Sequence, residues 1–335
     1  MKIIVDNKIP FIEGRLESIA EVSYLAPEEI NRETIAGSDV LMVRTRTKCN
    51  EKLLKGSTVK LVVTATIGMD HIDAGWCEAN GIKVRNAAGC NAPGVAQYVW
   101  ASLLEKGFEP EGKTLGVVGV GNIGSIVARW GEGLGCKVLL CDPPREKAGK
   151  DGRIYHDLEY VLRNSDAVTF HTPLTFYGEN ATYHMAGSRE LAMMKDGAFI
   201  VNAARGGVID EKALEKELKQ GRLKALIDVW EGEPNINRDL PPLCLVATQH
   251  IAGYSRQGKE RATRMALEAV EDVFGVKTDT SGLEKDYSPD FLPSKKQITD
   301  SFSPAPETRN LLKNMDDFEN IRESYIYRDE ILRGV

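Results

Sequence analysis

The feature that most narrows the possible folds lies in the middle of the chain. An apolar run, Leu115-Gly116-Val117-Val118, leads into Gly119-Val120-Gly121-Asn122-Ile123-Gly124 and then a helix-like stretch. A strand, a G-x-G-x-x-G turn and a helix form the dinucleotide-binding unit of a parallel α/β sheet. Gly119 permits the tight turn, Gly121 lets the backbone approach a pyrophosphate, and Gly124 lets helix and strand pack closely. The helix N-terminus then presents free N–H groups and the positive dipole end to the phosphates. The next strand, Lys137–Cys141, ends in Asp142, eighteen residues beyond Gly124. A carboxylate there accepts hydrogen bonds from an adenosine ribose and repels a 2′-phosphate, which favours NAD over NADP, with Arg145 close enough to soften the preference.

About a hundred residues precede this motif, whereas a single-domain nucleotide-binding enzyme carries it near its start. They form a βα series of their own, with runs at Ile3–Asp6, Glu21–Leu25, Val40–Arg44, Leu61–Thr66 and Lys83–Asn86. A second series follows at Leu115–Gly119, Lys137–Cys141, Ala167–Phe170, Ala198–Asn202, Ala225–Val229 and Leu243–Thr248. Strands alternating with helices imply parallel sheets, and their almost wholly apolar character implies cover on both faces. Among the connecting helices, one has Asp210 as N-cap, Leu214 and Leu218 on a buried face, and Gly221 at its end. The expected architecture is α/β with two Rossmann-like domains. Residues 1–91 and 254–276 would make a flavodoxin-like substrate domain, residues 92–253 an inserted NAD-binding domain, and residues 277–335 a short C-terminal dimerisation region. Helix is expected from Gln257 to about Phe274, irregular chain over Lys277–Glu307, and one terminal helix from Leu311 to Leu332 with Phe318, Ile321, Tyr325 and Ile331 on one face.

Composition sets the class. The 335 residues carry 43 basic and 49 acidic side chains for a net charge of −6, which argues against a general nucleic-acid or anionic-membrane binder. No apolar run reaches the ~18 residues of a membrane span. The six cysteines lack paired spacing, so no metal site is expected, and buried thiols in a cytoplasmic protein are.

Three strand ends in the second series carry polar residues: Asn202-Ala203-Ala204-Arg205-Gly206-Gly207, Asp228-Val229-Trp230-Glu231-Gly232-Glu233, and Thr248-Gln249-His250-Ile251-Ala252-Gly253-Tyr254. Arg205 can grip a carboxylate with two parallel hydrogen bonds. His250 can take a hydroxyl proton as hydride leaves the same carbon, and Glu233 can fix the imidazole ring and stabilise the imidazolium. His71, His171 and His184 have no such partner in view and are expected to be structural or peripheral.

With these segments the chain resembles the D-isomer-specific 2-hydroxyacid dehydrogenases over about residues 1–275. The resemblance implies NAD-dependent oxidation of a small 2-hydroxy acid, with Arg205, Glu233 and His250 catalytic. A finer likeness within the family rests on Val43-Arg44-Thr45-Arg46-Thr47-Lys48, Thr64-Ala65-Thr66-Ile67-Gly68-Met69-Asp70-His71, Cys141-Asp142-Pro143-Pro144-Arg145 and Phe318-x-x-Ile321-Arg322-x-x-Tyr325-x-x-Arg328. It implies a phosphorylated substrate and a homodimer. Thr45, Thr66 and Tyr254 would contact substrate; Asp142, Thr172, Ala203, Arg205, Asp228 and Gly253 would contact NAD beside Gly119, Gly121, Asn122, Ile123 and Gly124. Arg44 and Arg46 are candidates for the phosphate, and Arg328 for delivery into a neighbour's cleft. Gln97 replaces a family glutamate near a hinge expected at Asn91–Gly94 and Gly253–Tyr254. Two other readings stay open: a family member acting on 3-phosphoglycerate, glyoxylate or hydroxypyruvate, and an NAD-sensing interaction protein.

Overall fold

The computed structural model describes residues 1–285, 287, 288 and 290–331. The chain divides into two compact units, Met1–Asn91 with Ser255–Tyr287, and Ala92–Tyr254 with Ser288–Val335.

The first unit is built on five parallel strands: β1 (Lys2–Asp6), β2 (Glu21–Leu25), β3 (Val40–Val43), β4 (Leu61–Thr64) and β5 (Lys83–Asn86). Their order is β2-β1-β3-β4-β5, the flavodoxin-like arrangement. One face packs Ile3, Val5, Met42 and Val63 against Leu267 and Val270; the other packs Ile4, Leu41, Val43 and Val62 with Leu54 and Cys77. This two-sided cover is why β3 and β4 read as unbroken apolar runs. The helix Arg256–Phe274 begins where Ser255 Oγ accepts from the Gly258 N–H at 3.1 Å and stops at Gly275, whose φ of +67° ends the right-handed spiral.

Six parallel strands make the second sheet: β6 (Thr114–Val118), β7 (Lys137–Cys141), β8 (Ala167–Phe170), β9 (Phe199–Asn202), β10 (Lys224–Ile227) and β11 (Val246–Ala247), in the order β11-β10-β9-β8-β6-β7. The order reverses between β6 and β8, the switch point at which such sheets bind ligands. The strand expected at Leu243–Thr248 shrinks to two residues. Pro241–Leu243 instead turn as a short 3₁₀ helix, and the Thr248 hydroxyl is drawn inward to Asp228 at 2.6 Å. The Asp210-capped helix runs Glu211–Lys219 with Leu214 and Leu218 buried.

The C-terminal stretch differs from expectation. Residues 277–335 form no body of their own: the part to Tyr287 belongs to the first unit and the part from Ser288 to the second. A helix spans Lys295–Ser301, opened by a capping box in which Ser294 Oγ accepts from the Gln297 N–H and Gln297 Oε1 accepts from the Ser294 N–H. The single terminal helix is replaced by Ala305–Lys313, a 3₁₀ turn at Met315–Asp317, and Phe318–Glu323. Phe318 and Ile321 lie in the core of the second unit with Leu311, whereas Tyr325 and Ile331 follow the last helix; Leu332 lies outside the described residues.

Candidate active site

At the glycine turn the three glycines have three different surroundings. Gly119 has φ of +85°, and a Cβ there would lie 2.8 Å from the His171 carbonyl group on the neighbouring strand end. A Cβ on Gly124 would fall 2.0 Å from the Gly119 oxygen, so helix and strand touch backbone to backbone. A Cβ on Gly121 would meet nothing within 4 Å. The protein interior does not require that glycine. The space it leaves open adjoins the N-terminus of the helix Asn122–Gly133, which has no side-chain cap. Uncapped N–H groups facing open space suit a pyrophosphate, and the residues present therefore fit a dinucleotide. Asn122 is exposed and Ile123 half-buried at this turn. Asp142, at the end of β7, accepts from the Val120 N–H at 2.8 Å and the Arg145 N–H at 3.1 Å, so it also ties the glycine turn to the next helix. Thr172 and Gly253 are half-buried, and Ala203 is buried.

The three strand-end segments do come together in this unit. His250 Nδ1 lies 2.7 Å from Glu233 Oε2, while Glu233 Oε1 accepts from the Trp230 N–H at 2.8 Å. Burial opposes ionisation of Glu233, but His250, the Trp230 N–H and the Arg322 guanidinium outweigh it and hold the carboxyl below its usual range. Arg205 follows a tight turn in which Asn202 Nδ2 donates to the Arg205 carbonyl and Asn202 Oδ1 accepts from the Ala204 N–H. Its neighbour Gly206 must be glycine, since a Cβ there would sit 1.9 Å from the Trp230 oxygen. The Arg205 loop and the Glu233 loop are thereby in backbone contact.

Asp228, expected at the cofactor, is fully buried and tied to the chain around it. Its carboxylate accepts from Thr248 Oγ1, the Ile251 N–H and the Ala252 N–H, and its carbonyl accepts from the His250 N–H. His250 itself has φ of +57°, a left-handed conformation unfavourable for a non-glycine residue, and these bonds hold it there. Tyr98, from the helix Ala92–Glu105, bonds to Thr248 Oγ1 at 2.6 Å and extends the support inward.

Three parts of the arrangement escaped sequence reasoning. His184 has carboxylate partners after all: Nε2 is 2.8 Å from Glu231 Oε1, and Nδ1 is 3.8 Å from Asp210 Oδ2. Its N–H also donates to the Gly207 carbonyl at 2.7 Å, which braces the Arg205 loop. Beside it, burial, with the nearby Glu231, Glu233 and Asp210 charges, pushes the Glu211 carboxyl up to about 7 despite the hydrogen bond it accepts from the Glu231 N–H. The third is Arg322, which lies over the Tyr254 ring at 5.7 Å. His171 is bonded to Thr169 Oγ1 at 3.0 Å, and burial pushes its ring down to about 3, so it stays neutral. Burial lowers His71 as well.

In the first unit, Arg44 donates to the Lys8 carbonyl at 3.0 Å and Arg46 lies 3.8 Å from Glu28. Thr45 is exposed between them; Thr66 Oγ1 is bonded to Thr64 Oγ1 at 2.6 Å. Among the described residues no cluster of metal-ligating side chains occurs, and no helix is long and apolar enough to cross a membrane.

Known proteins place this geometry. The family model for the D-isomer specific 2-hydroxyacid dehydrogenase NAD binding domain matches residues 84–252. The erythronate-4-phosphate dehydrogenase of Bacteroides thetaiotaomicron is 40% identical across 98% of this chain and 97% of its own length. The protein of the same name from Escherichia coli is 41% identical across 82% of this chain and 74% of its own. Among solved structures, a D-lactate dehydrogenase from Aquifex aeolicus complexed with NAD and lactic acid superposes with a TM-score of 0.66 at 27% identity, covering 82% of this chain and 96% of that one. The cofactor is accordingly NAD, and the chain belongs to the D-isomer specific 2-hydroxyacid dehydrogenase family.

Proposed function

We propose that the protein oxidises 4-phospho-D-erythronate at C2 to (R)-3-hydroxy-2-oxo-4-phosphooxybutanoate, a step of pyridoxal 5′-phosphate formation. The observation that carries the reading is the 2.7 Å His250–Glu233 pair in the unit that holds the glycine turn, on a chain 40–45% identical to four Bacteroides and Porphyromonas proteins named for that activity. NAD⁺ supplies the hydride acceptor. His250 takes the C2 hydroxyl proton on Nε2, because Nδ1 faces Glu233. Glu233 fixes the ring and stabilises the imidazolium that forms, and the donors that keep it ionised make it suited to this. Arg205 holds the substrate carboxylate.

For the phosphate the candidates are Arg44 and Arg46, with Thr45, Thr66 and Tyr254 as further donors to substrate. Arg46 would exchange Glu28 for the phosphate, a trade favoured by the stronger charge-assisted bonds of a dianion. Gly119, Gly121, Asn122, Ile123, Gly124, Asp142, Thr172, Ala203 and Gly253 are assigned to NAD, and Asp228 to it through the loop it supports. A homodimer in the cytoplasm completes the proposal.

The test is absorbance at 340 nm with NAD⁺ and, separately, 4-phospho-D-erythronate, 3-phospho-D-glycerate and D-glycerate. Each is repeated with a 2-oxo acid acceptor present, since tightly held NADH would mask turnover. Preference for phosphoerythronate supports the reading. Turnover of another acid alone overturns the substrate and keeps the chemistry; no turnover of any acid favours a sensing role.

A further inference from the structure

The segment that carries His250 has an unusual hydrogen-bond balance. Beyond Ala247 the last strand ends, and the backbone groups of residues 250–254 need partners outside a sheet. The N–H groups of His250, Ile251 and Ala252 are all taken by Asp228. The carbonyls on the other side go to one side chain from the distant C-terminal stretch. Arg328 Nη1 donates to the Ile251 oxygen at 3.0 Å and the Tyr254 oxygen at 3.2 Å, and Nη2 donates to the Ala252 oxygen and to Gly94 at 2.8 Å. Asp228 thus holds three donors of this short segment, two of them on its carboxylate, and the Arg328 cation holds three of its acceptors, with the Ile251 oxygen also accepting from the Tyr254 N–H at 2.8 Å.

Arg328 is 9% exposed, and its guanidinium lies over the Phe302 ring at 4.7 Å. Burying a cation costs heavily unless it is hydrogen-bonded; here four carbonyls take Nη1 and Nη2 while the buried Nε has no partner among the described residues, and only the planar fork of an arginine reaches four carbonyls at once. The C-terminal stretch is fastened at other points to the chain just before His250 and to the helix Ala92–Glu105. Glu307 accepts from Gln249 Nε2 at 2.7 Å, Thr308 Oγ1 accepts from the Ala247 N–H at 3.2 Å, and Gln97 Nε2 donates to the Asp329 carbonyl at 3.1 Å. The contacts fall on both sides of His250 in the sequence, and its left-handed backbone requires restraint from both.

We propose that Arg328 is a positioning residue: by holding the carbonyls of Ile251, Ala252 and Tyr254 it keeps the His250 ring aimed for proton transfer. Its role is therefore within its own chain and at the catalytic segment, not delivery into a neighbour's cleft. The proposal rests on the reading of His250 as the base, and its test separates the two.

The full chain is made as wild type, Arg328→Met, which keeps the bulk without the donors, and Arg328→Lys, which can restore part of them. The first measurement needs no turnover: imidazole resonances of the five histidines with labelled side chains, the His250 signal assigned by its loss in His250→Gln. The expected result is a shifted or broadened His250 signal in Arg328→Met with His71 and His171 unmoved. The second is kinetic. Arg328→Met should lower kcat by about 30-fold or more, as small misplacements of a catalytic group do. Its Kd for NADH should stay within about threefold, and Arg328→Lys should recover part of kcat. An unmoved His250 resonance in Arg328→Met overturns the proposal whatever the activity. So does a kcat within threefold of wild type, or loss of the folded spectrum and of NADH binding in both variants, which would make Arg328 a fold residue only. A wild type inert on every hydroxy acid whose His250 signal nonetheless moves in Arg328→Met sinks the function and leaves the positioning.

Discussion

At the scale of single residues, the site contrasts groups that act with groups that titrate. On the proposed role of Arg205 in holding the substrate carboxylate before and during the reaction, its replacement with Met should raise KM for the hydroxy acid and lower kcat; His250→Gln should lower kcat at least 100-fold with little change in KM. Steady-state kinetics on each variant decides this, and a His250→Gln enzyme at near-normal rate would remove the proton-transfer assignment. Two other residues govern stability against pH with opposite signs. Glu211 titrates at about 7 in the folded chain against about 4.5 unfolded, so its protonated form favours the fold and stability falls as pH rises through that window. His171 titrates at about 3 against 6.5, so its neutral form favours the fold and stability falls as pH drops below 6.5. Between pH 4.5 and 6.5 the two effects offset one another. Glu211→Gln keeps the acceptor for the Glu231 N–H and removes the charge. It should raise the melting temperature at pH 8 by a few degrees and expose the His171 slope below pH 6.5, as thermal scans across pH would show. Neither shift could be read from sequence, because burial is the largest cause of both and depends on how the chain packs.

Among the elements, the glycine turn separates what the fold needs from what the ligand needs. Gly124→Ala forces a Cβ to 2.0 Å from the Gly119 oxygen and should cost the fold outright, by about 2 kcal/mol or more. Gly121→Ala meets only open space, so the protein should fold with an unchanged melting temperature yet bind NADH at least tenfold more weakly. Fluorescence titration and melting of both variants check the pair. The tight turn at Gly119 and the close packing at Gly124 were legible in the motif, whose spacing reports a purely local strand–turn–helix geometry. The limits of β11 and the helices after Lys277 were not. The apolar pattern from Leu243 to Thr248 looks like a strand, but Thr248 is spent on Asp228, a partner no local pattern reveals. The helix Lys295–Ser301 with its Ser294–Gln297 capping box lies in a stretch whose Asp, Ser, Pro and Lys content reads as irregular chain.

For the whole molecule, the cysteines and the C-terminal stretch carry the testable consequences. All six cysteines are buried and unbridged, and burial pushes Cys49, Cys136 and Cys141 up to about 12. Native protein should therefore react slowly with a thiol reagent and yield six thiols only after unfolding; a fast-reacting thiol in the native state would contradict the burial. Phe318 is 1% exposed in the core of the second unit, so Phe318→Ala should cost about 3–5 kcal/mol in chemical denaturation. The proposed homodimer predicts a sedimenting mass of twice the 36.9 kDa of one chain. The sequence by itself determined the two parallel sheets, the nucleotide turn and the three strand ends bearing Arg205, Glu233 and His250, because hydrophobic periodicity and glycine spacing are local rules written along the chain. Only the tertiary structure decided that Asp228 and Arg328 grip opposite sides of the His250 segment and that His184 has Glu231 beside it. Hydrogen bonds between residues 77 and 47 positions apart depend on which backbone groups the sheet leaves unpaired, and that is known only once the chain has folded.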